Sequence, residues 1–342
     1  MVLDGGAGWV WAVAFHPDGK HFFDGTGNGI RRWRVVDGQE LGKQTGMYVR
    51  AVSVSQKWVV CTATSGASVW DAKLRAKVAE VEGGERVYSV DVAPDCTQFA
   101  TGTVDGKVTI WSTTTGEKLL GPLEHGGYVP GVKFSPDGGR LATACEGDST
   151  IRIFDARNGD QLISIGNQLF SGSFLPIAWS THGQQLFAVS EDNKIKLLDS
   201  STGSPLAEWQ IHENSTSPMS IALSANGKFI ASSAGRFVSF WDTSTHTQLG
   251  IIEEPHKIES IALSPDGCRL ATGSRDSGSS IIWNLRGILP DSCLPGNVST
   301  LFLKSTMTFI HESLFLYTRK YLVPDRECRI ILCPERRIDT NV

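Results

Sequence analysis

Eight histidines, seven cysteines and 36 aspartates and glutamates carry whatever acid–base, nucleophilic or metal chemistry this chain could perform. Their spacing argues against all three. Asp18, Asp105, Asp137, Asp148, Asp192 and Asp266 fall in tight turns, so no pair poised for general acid–base work stands out from the turn-formers. His16 and His182 occupy turns of the same kind, and His125 precedes an apolar run; all three read as structural. The stretch GTGNG, residues 25–29, looks like a dinucleotide loop but lies between two strand-like runs, where no helix N-terminus could receive a phosphate. No P-loop, HExxH or GxSxG pattern is present, and no CxxC pair. Cys328 and Cys333 are neighbours, yet no nearby His completes a zinc set. The expectation is no catalytic residue, no metal and no cofactor.

Charge narrows the partners. Thirty-two basic against 36 acidic residues leave a net −4, which disfavours direct nucleic-acid contact, since that needs a basic face to displace counterions. The cysteines sit singly in apolar runs (Cys61, Cys96, Cys145, Cys268), which suits a reducing compartment and an intracellular, cytoplasmic or nuclear protein. The start MVLDGGAGWVWAV has neither a basic n-region nor a long apolar core, and the apolar run after residue 300 is broken by Lys304, His311 and Glu312; neither a signal peptide nor a membrane span is expected. The sequons at Asn214 and Asn297 read as chance matches.

What the chain does contain is a rhythm. VWAVAFHPDGKHFFDG from Val10 returns as VYSVDVAPDCTQFATG from Val87, VPGVKFSPDGGRLATA from Val129 and IESIALSPDGCRLATG from Ile258. Weaker copies start at Val49, Phe174 and Pro218, so seven units follow one another at about 40 residues each. A second marker keeps the same beat: Trp33, Trp70, Trp111, Phe154, Leu198, Trp241 and Trp283. Within a unit an alternating run predicts a strand, a Pro-Asp-Gly turn follows, and a second run leads through a pair such as Asp105-Gly106 into a third. A turn such as Thr115-Gly116 introduces a fourth. Such a four-stranded sheet cannot bury either face alone; stacking seven radially buries both. The seventh unit lacks a fourth strand after Asn284, and Val2–Asp4 are placed to supply it.

In spacing, in its SPDG-type turns and in Trp70-Asp71, Trp241-Asp242 and Trp283-Asn284, the chain resembles the WD40-repeat β-propeller family over residues 1–286. The resemblance implies an all-β, seven-bladed propeller of four-stranded antiparallel blades, followed by a short C-terminal extension, 287–342. It also implies a hydrogen-bonded set in each blade: a His, a Ser/Thr, a turn Asp and the Trp. Thr101, Asp105 and Trp111 match in the third unit; His125, Thr143 and Asp148 match in the fourth, with Phe154 in place of Trp. Only one unit keeps the His.

The family also places residues that flank the first core position of the inner strand on the top-face rim. Here those are Trp9 and Trp11, Tyr48 and Arg50, Arg86 and Tyr88, and Tyr128 with Pro130; later units offer Ser173, Leu175, Ser217, Met219, Lys257 and Glu259. Arg275, before a turn Asp, adds to the same face. Trp, Tyr and Arg dominate interface energies, so the expectation is a non-enzymatic scaffold or adaptor that binds protein or peptide partners, acidic or phosphorylated ones, within a multiprotein complex. The competing structural reading has these side chains packing between blades or plugging the channel. Alternatives are a substrate receptor of a ubiquitin-ligase complex, the propeller part of a larger sensor or signalling protein, and, less favoured, a propeller enzyme, which would need an acid, His or metal cluster at the channel mouth.

From Gly287 the repeat stops, and Pro290, Pro295 and Gly296 read as a linker. Leu303, Met307, Ile310, Leu314, Tyr317 and Tyr321 fall on one helical stripe, predicting a helix over about 300–322, with CRIILC as a short strand. That segment reads equally as a docking helix or as a tail without selected structure.

Overall fold

In the third unit, Phe99 pairs across from Trp111 and Thr101 from Thr109, in an antiparallel ladder of Val87–Val92, Gln98–Thr103, Lys107–Ser112 and Lys118–Glu124. The alternation seen in the sequence is therefore real β-pleat. The sheet's inner strands are buried on both faces, while Lys118–Glu124 is half exposed. The same sheet is built seven times in a computed structural model, giving a seven-bladed β-propeller. The structure describes residues 1–4, 8–63, 65–82, 84–166, 176–189, 193–211, 220–275 and 277–295, with the backbone of 330–331. Blade one is Val10–Phe15, His21–Thr26, Gly29–Arg34 and Glu40–Thr45; blades two to six span 52–82, 87–124, 131–165, 177–210 and 220–253. Every regular element among the described residues is a strand, and no helix there is long and apolar enough to cross a membrane.

The core is not one mass but a ring of layers between neighbouring sheets. Ala100, Val108 and Ile110 of blade three pack on Val129, Val132, Phe134 and Leu141 of blade four, all buried. Burying both faces of each sheet in this way is what makes seven thin sheets one stable body. The turns obey the chemistry read from the sequence. Asp137 and Asp266 each accept a Ser hydroxyl, from Ser135 and Ser264, at 2.5 Å, and a backbone amide two residues on at 3.0 Å. Gly106 has a positive φ of 84°, and a Cβ there would lie 2.5 Å from the His125 carbonyl oxygen. Only glycine fits that corner.

The ring closes as the sequence suggests. Blade seven is Ile258–Leu263, Arg269–Ser274 and Ser279–Asn284, and its outer strand is Val2–Asp4, with Val2 opposite Ile281 and Leu3 opposite Ser280. The N-terminal ammonium donates to the Ile282 carbonyl at 2.8 Å, and Leu3 is buried with Val10, Phe22 and Ile282. Packing continues beyond Asn284. Leu285, Ile288, Leu289, Cys293 and Leu294 are buried against Phe229, Phe240 and Ile252 of blade six, and Asn226 and Lys228 donate to the Cys293 and Ser292 carbonyls. The proline-marked stretch therefore carries buried apolar side chains as well as turns. Ile330–Ile331 form a two-residue strand on the outer edge of blade six, opposite Ile252 and Ile251. The helix expected over 300–322 lies outside the described residues. The five described cysteines are unpaired.

Candidate functional site

The repeat pins the rim by a recurring backbone bond. The carbonyls of Trp9, Arg86, Tyr128 and Lys257 accept from Gly27, Val104, Glu146 and Arg275, just past the second strand of their own blades. The core residues that follow reach back: Val49, Val129 and Ile258 donate to the Thr26, Thr103 and Gly235 carbonyls of the preceding blades. The side chains on either side of each core position are thereby held at one end of the ring.

There the aromatic and guanidinium groups of blades one to four, with Arg275 of blade seven, form one continuous chain. The Arg275 guanidinium lies 4.4 Å from the Trp9 ring centroid, and Trp9 meets Trp11 edge-on at 5.2 Å. Trp11 contacts Tyr48 at 5.8 Å. Arg50 sits between the Trp11 and Tyr88 rings, at 5.0 and 4.2 Å, and Tyr88 meets Tyr128 at 5.2 Å. Arg86 is exposed and joins through its field: burial pushes the Tyr48 phenol above its ordinary value of 10.0, opposed by Arg50 and then Arg86. Seven of the eight residues expected at the rim thus touch in one chain, with Arg86 exposed beside it.

They form two tiers. Trp9 (46% exposed) and Tyr48 (37%) face outward with Arg86. Trp11, Arg50 and Tyr88 turn inward and line the central cavity of about 220 Å³, with Lys133 and Glu259 among its walls. Two of its charges are already paired: Lys133 with Asp91 at 2.8 Å, and Glu259 with Arg275 at 3.6 Å. The inner tier thus packs at the channel mouth, as the competing structural reading has it, while the outer tier is exposed. The later rim positions 173, 175, 217 and 219 lie outside the described residues.

The blade network is only partly as expected. Trp111 Nε1 donates to Thr101 Oγ1 at 2.8 Å, and His125 Nε2 lies 2.8 Å from Thr143 Oγ1. The turn aspartates work locally instead. Asp105 takes the Thr103 hydroxyl and Lys107; Asp148 takes Thr150, Arg152 and the Gly126 amide. Burial pushes the His125 imidazole below its ordinary value of 6.5.

Sequence reading missed two buried carboxylates. Glu254, 2% exposed, stands four residues before Ile258, as His125 stands before Val129, and its Oε1 accepts both Thr272 Oγ1 and Trp283 Nε1, the latter at 2.8 Å. Burial holds its carboxyl above the ordinary 4.5. Asp24, fully buried, occupies in blade one the register of Thr101 and takes Arg31 through both oxygens at 2.7 Å, plus Ser280 of blade seven at 2.9 Å. Both were legible by counting from the core anchor.

A sevenfold ring of antiparallel blades with the Trp–Thr bond inside is the architecture of the WD-repeat class. The model for the WD domain, G-beta repeat, matches residues 1–34, 76–112, 117–155, 203–242 and 247–284, more than half of the chain, which belongs to that family. Among curated proteins the chain is 33% identical over 144 residues to eukaryotic translation initiation factor 3 subunit I of Coccidioides immitis, covering 37% of this chain and 41% of that one. It is 25% identical over 291 residues to Protein groucho of Drosophila melanogaster (80% and 38%), and 26% over 192 to serine-threonine kinase receptor-associated protein of Dictyostelium discoideum (56% and 63%). The matched region spans less than two thirds of each of these relatives.

Proposed function

We propose that this chain is a non-enzymatic scaffold or adaptor whose rim captures an acidic or phosphorylated segment of a protein partner within a larger assembly. The carrying observation is Arg50, stacked between Trp11 and Tyr88. Ring faces on two sides hold the guanidinium charge at a fixed place, and a planar guanidinium suits a carboxylate or phosphate better than a point charge does. Arg86 adds a further cation, Arg275 a guanidinium shared with Glu259, and the exposed Trp9 and Tyr48 offer apolar surface for neighbouring residues of the partner. The relatives' names, a factor subunit and a receptor-associated protein, fit a part that works in company. Among the described residues the acid–base groups of the cavity wall include Glu259 and Lys133, and each already faces a partner of opposite charge.

The test is a fluorescence-polarisation screen of acidic and phosphorylated peptides against neutral and basic ones. Acidic peptides should bind, and Arg50→Ala should weaken them by roughly 2 kcal/mol, about thirtyfold, as for a central interface residue. Arg50→Lys, which keeps the charge but loses the planar group, should lose most of the same. A Trp11→Ala, Tyr88→Ala double variant that binds every peptide and every co-purifying partner like the parent would refute the reading.

A further inference from the structure

At the opposite end of blade one's inner strand from Trp9, the Pro17-Asp18-Gly19 turn is flanked in a way its counterparts are not. In blades four and seven the flanking pair is Ser135 with Arg140 and Ser264 with Arg269. The Ser hydroxyl donates to the turn Asp and accepts the Arg backbone amide at 2.9 Å. That is all the turn requires. In blade one both flanks are imidazoles, His16 and His21, which serve the turn but bring two further ring nitrogens to it.

Their geometry is that of a donor set. Asp18 Oδ1 lies 3.1 Å from His16 Nδ1, and Asp18 Oδ2 lies 2.7 Å from His21 Nδ1. The two rings cross at 87° with centroids 6.0 Å apart, and one ligand atom from each of the three residues lies within 4.8 Å of the others. A second contact orients His16. Its Nε2 is 3.3 Å from the Gln56 carbonyl of blade two, and since a carbonyl only accepts, Nε2 carries the proton. The Asp18 amide donates to Nδ1 at 3.2 Å, so Nδ1 presents a lone pair. An ion would take that lone pair in place of the amide, and the 3.1 Å between His16 Nδ1 and Asp18 Oδ1 suits two ligands of one tetrahedral centre. A carbonyl on the far ring nitrogen is also the usual outer partner of a metal-bound histidine.

We infer that His16 Nδ1, an Asp18 carboxylate oxygen and His21 Nδ1 bind a divalent transition cation of the zinc type. His21 turns its Nδ1 lone pair to the ion when bound. Two imidazoles and one carboxylate suit zinc over magnesium or calcium, which prefer all-oxygen shells, and water completes the coordination. The Asp18 field also reaches Arg32, whose charge moderates the affinity. Because Gln56 belongs to blade two, a bound ion ties the blade-one turn to its neighbour.

The test uses the full chain stripped with a chelator. Zinc titrated by calorimetry should bind in one tight step. His16→Ser with His21→Arg, which installs the flanks of blades four and seven, should weaken that step by about tenfold or more while the metal-free melting temperature stays at the parent value. Should that pair unfold, His21→Gln alone should show the same loss in a folded protein. Cobalt should give a ligand-field spectrum without an intense near-ultraviolet thiolate band, since no sulfur takes part. Absence of zinc binding, undiminished binding by the folded variants, or a thiolate band placing the ion on cysteines would each overturn the inference.

Discussion

Blades three, four and six carry a neutral polar layer at mid-sheet, whereas blades seven and one carry a charged one. In the former the partners are Thr101 with Trp111, His125 with Thr143, and Ser232 with Trp241. At the same registers Asp24 of blade one takes Arg31 and, across the seam, Ser280 of blade seven, while Glu254 takes Thr272 and Trp283 within blade seven, on the side of blade six. Neutral hydroxyl–indole pairs satisfy a buried N–H at little desolvation cost. A buried carboxylate is costlier to place and stricter about its neighbours. The seam is also where the sheet is assembled from the two ends of the propeller, so strict pairing falls where a register error would be easiest. Ser280 reaching Asp24 across the seam is the direct link.

The largest break in this contrast is Asp24→Ala. It strands the buried Arg31, and removal of one partner of a buried pair costs about 3–5 kcal/mol. Denaturant unfolding should show a midpoint lowered accordingly. The sharper experiment converts the seam into the neutral kind: Asp24→Thr with Arg31→Thr copies the Thr101–Thr109 pair of blade three. It removes the stranded charge and offers a hydroxyl to Trp33, whose indole N–H has no acceptor among the described residues. Most of the lost stability should return. A double variant as weak as Asp24→Ala would show that the charge itself, and not its satisfaction, holds the seam.

On the neutral side, Thr101→Val removes the acceptor of Trp111 Nε1 while keeping the β-branched shape. The stranded indole should cost about 1–3 kcal/mol, less than the broken ion pair, because no net charge is left unpaired. An effect as large as that of Asp24→Ala would erase the distinction between the two regions.

The fold was legible because two anchors, the SPDG-type turn and the unit-ending aromatic, keep one period and so report each other's errors. The units beginning at Val49 and Phe174 lie largely outside the residues matched by the family model, yet their described strands form blades two and five. The rim was legible by position. Its internal contacts were not, because nothing in a period reveals that Arg50 inserts between rings from blades one and three. Asp24 and Glu254 escaped for a different reason: a carboxylate in a turn-rich sequence reads as solvated. Only the register across Trp33 and the spacing to Ile258 mark them as buried. The Leu285–Leu294 packing escaped because prolines signal the end of a repeat without saying where the chain rests.

The smallest and most selective test uses pH. Glu254 has its folded-state value raised by burial above the ordinary 4.5, so the native state holds this proton more tightly than the unfolded chain. Its contribution is present below 4.5 and is lost as pH rises through the raised value. His125 has the opposite sign: its value is depressed below 6.5, and its contribution is lost as pH falls through that lowered value. Glu254→Gln keeps an acceptor for Thr272 and Trp283 but cannot ionise. Relative to the parent it should gain stability as pH rises from 4.5 to the raised folded-state value of Glu254, and the gain should then level off. Taking the difference between the two proteins cancels the turn aspartates, whose depressed values give the parent an opposing slope. A pH-independent difference in melting temperature would mean that blade seven tolerates its charge as readily as blade four tolerates its imidazole.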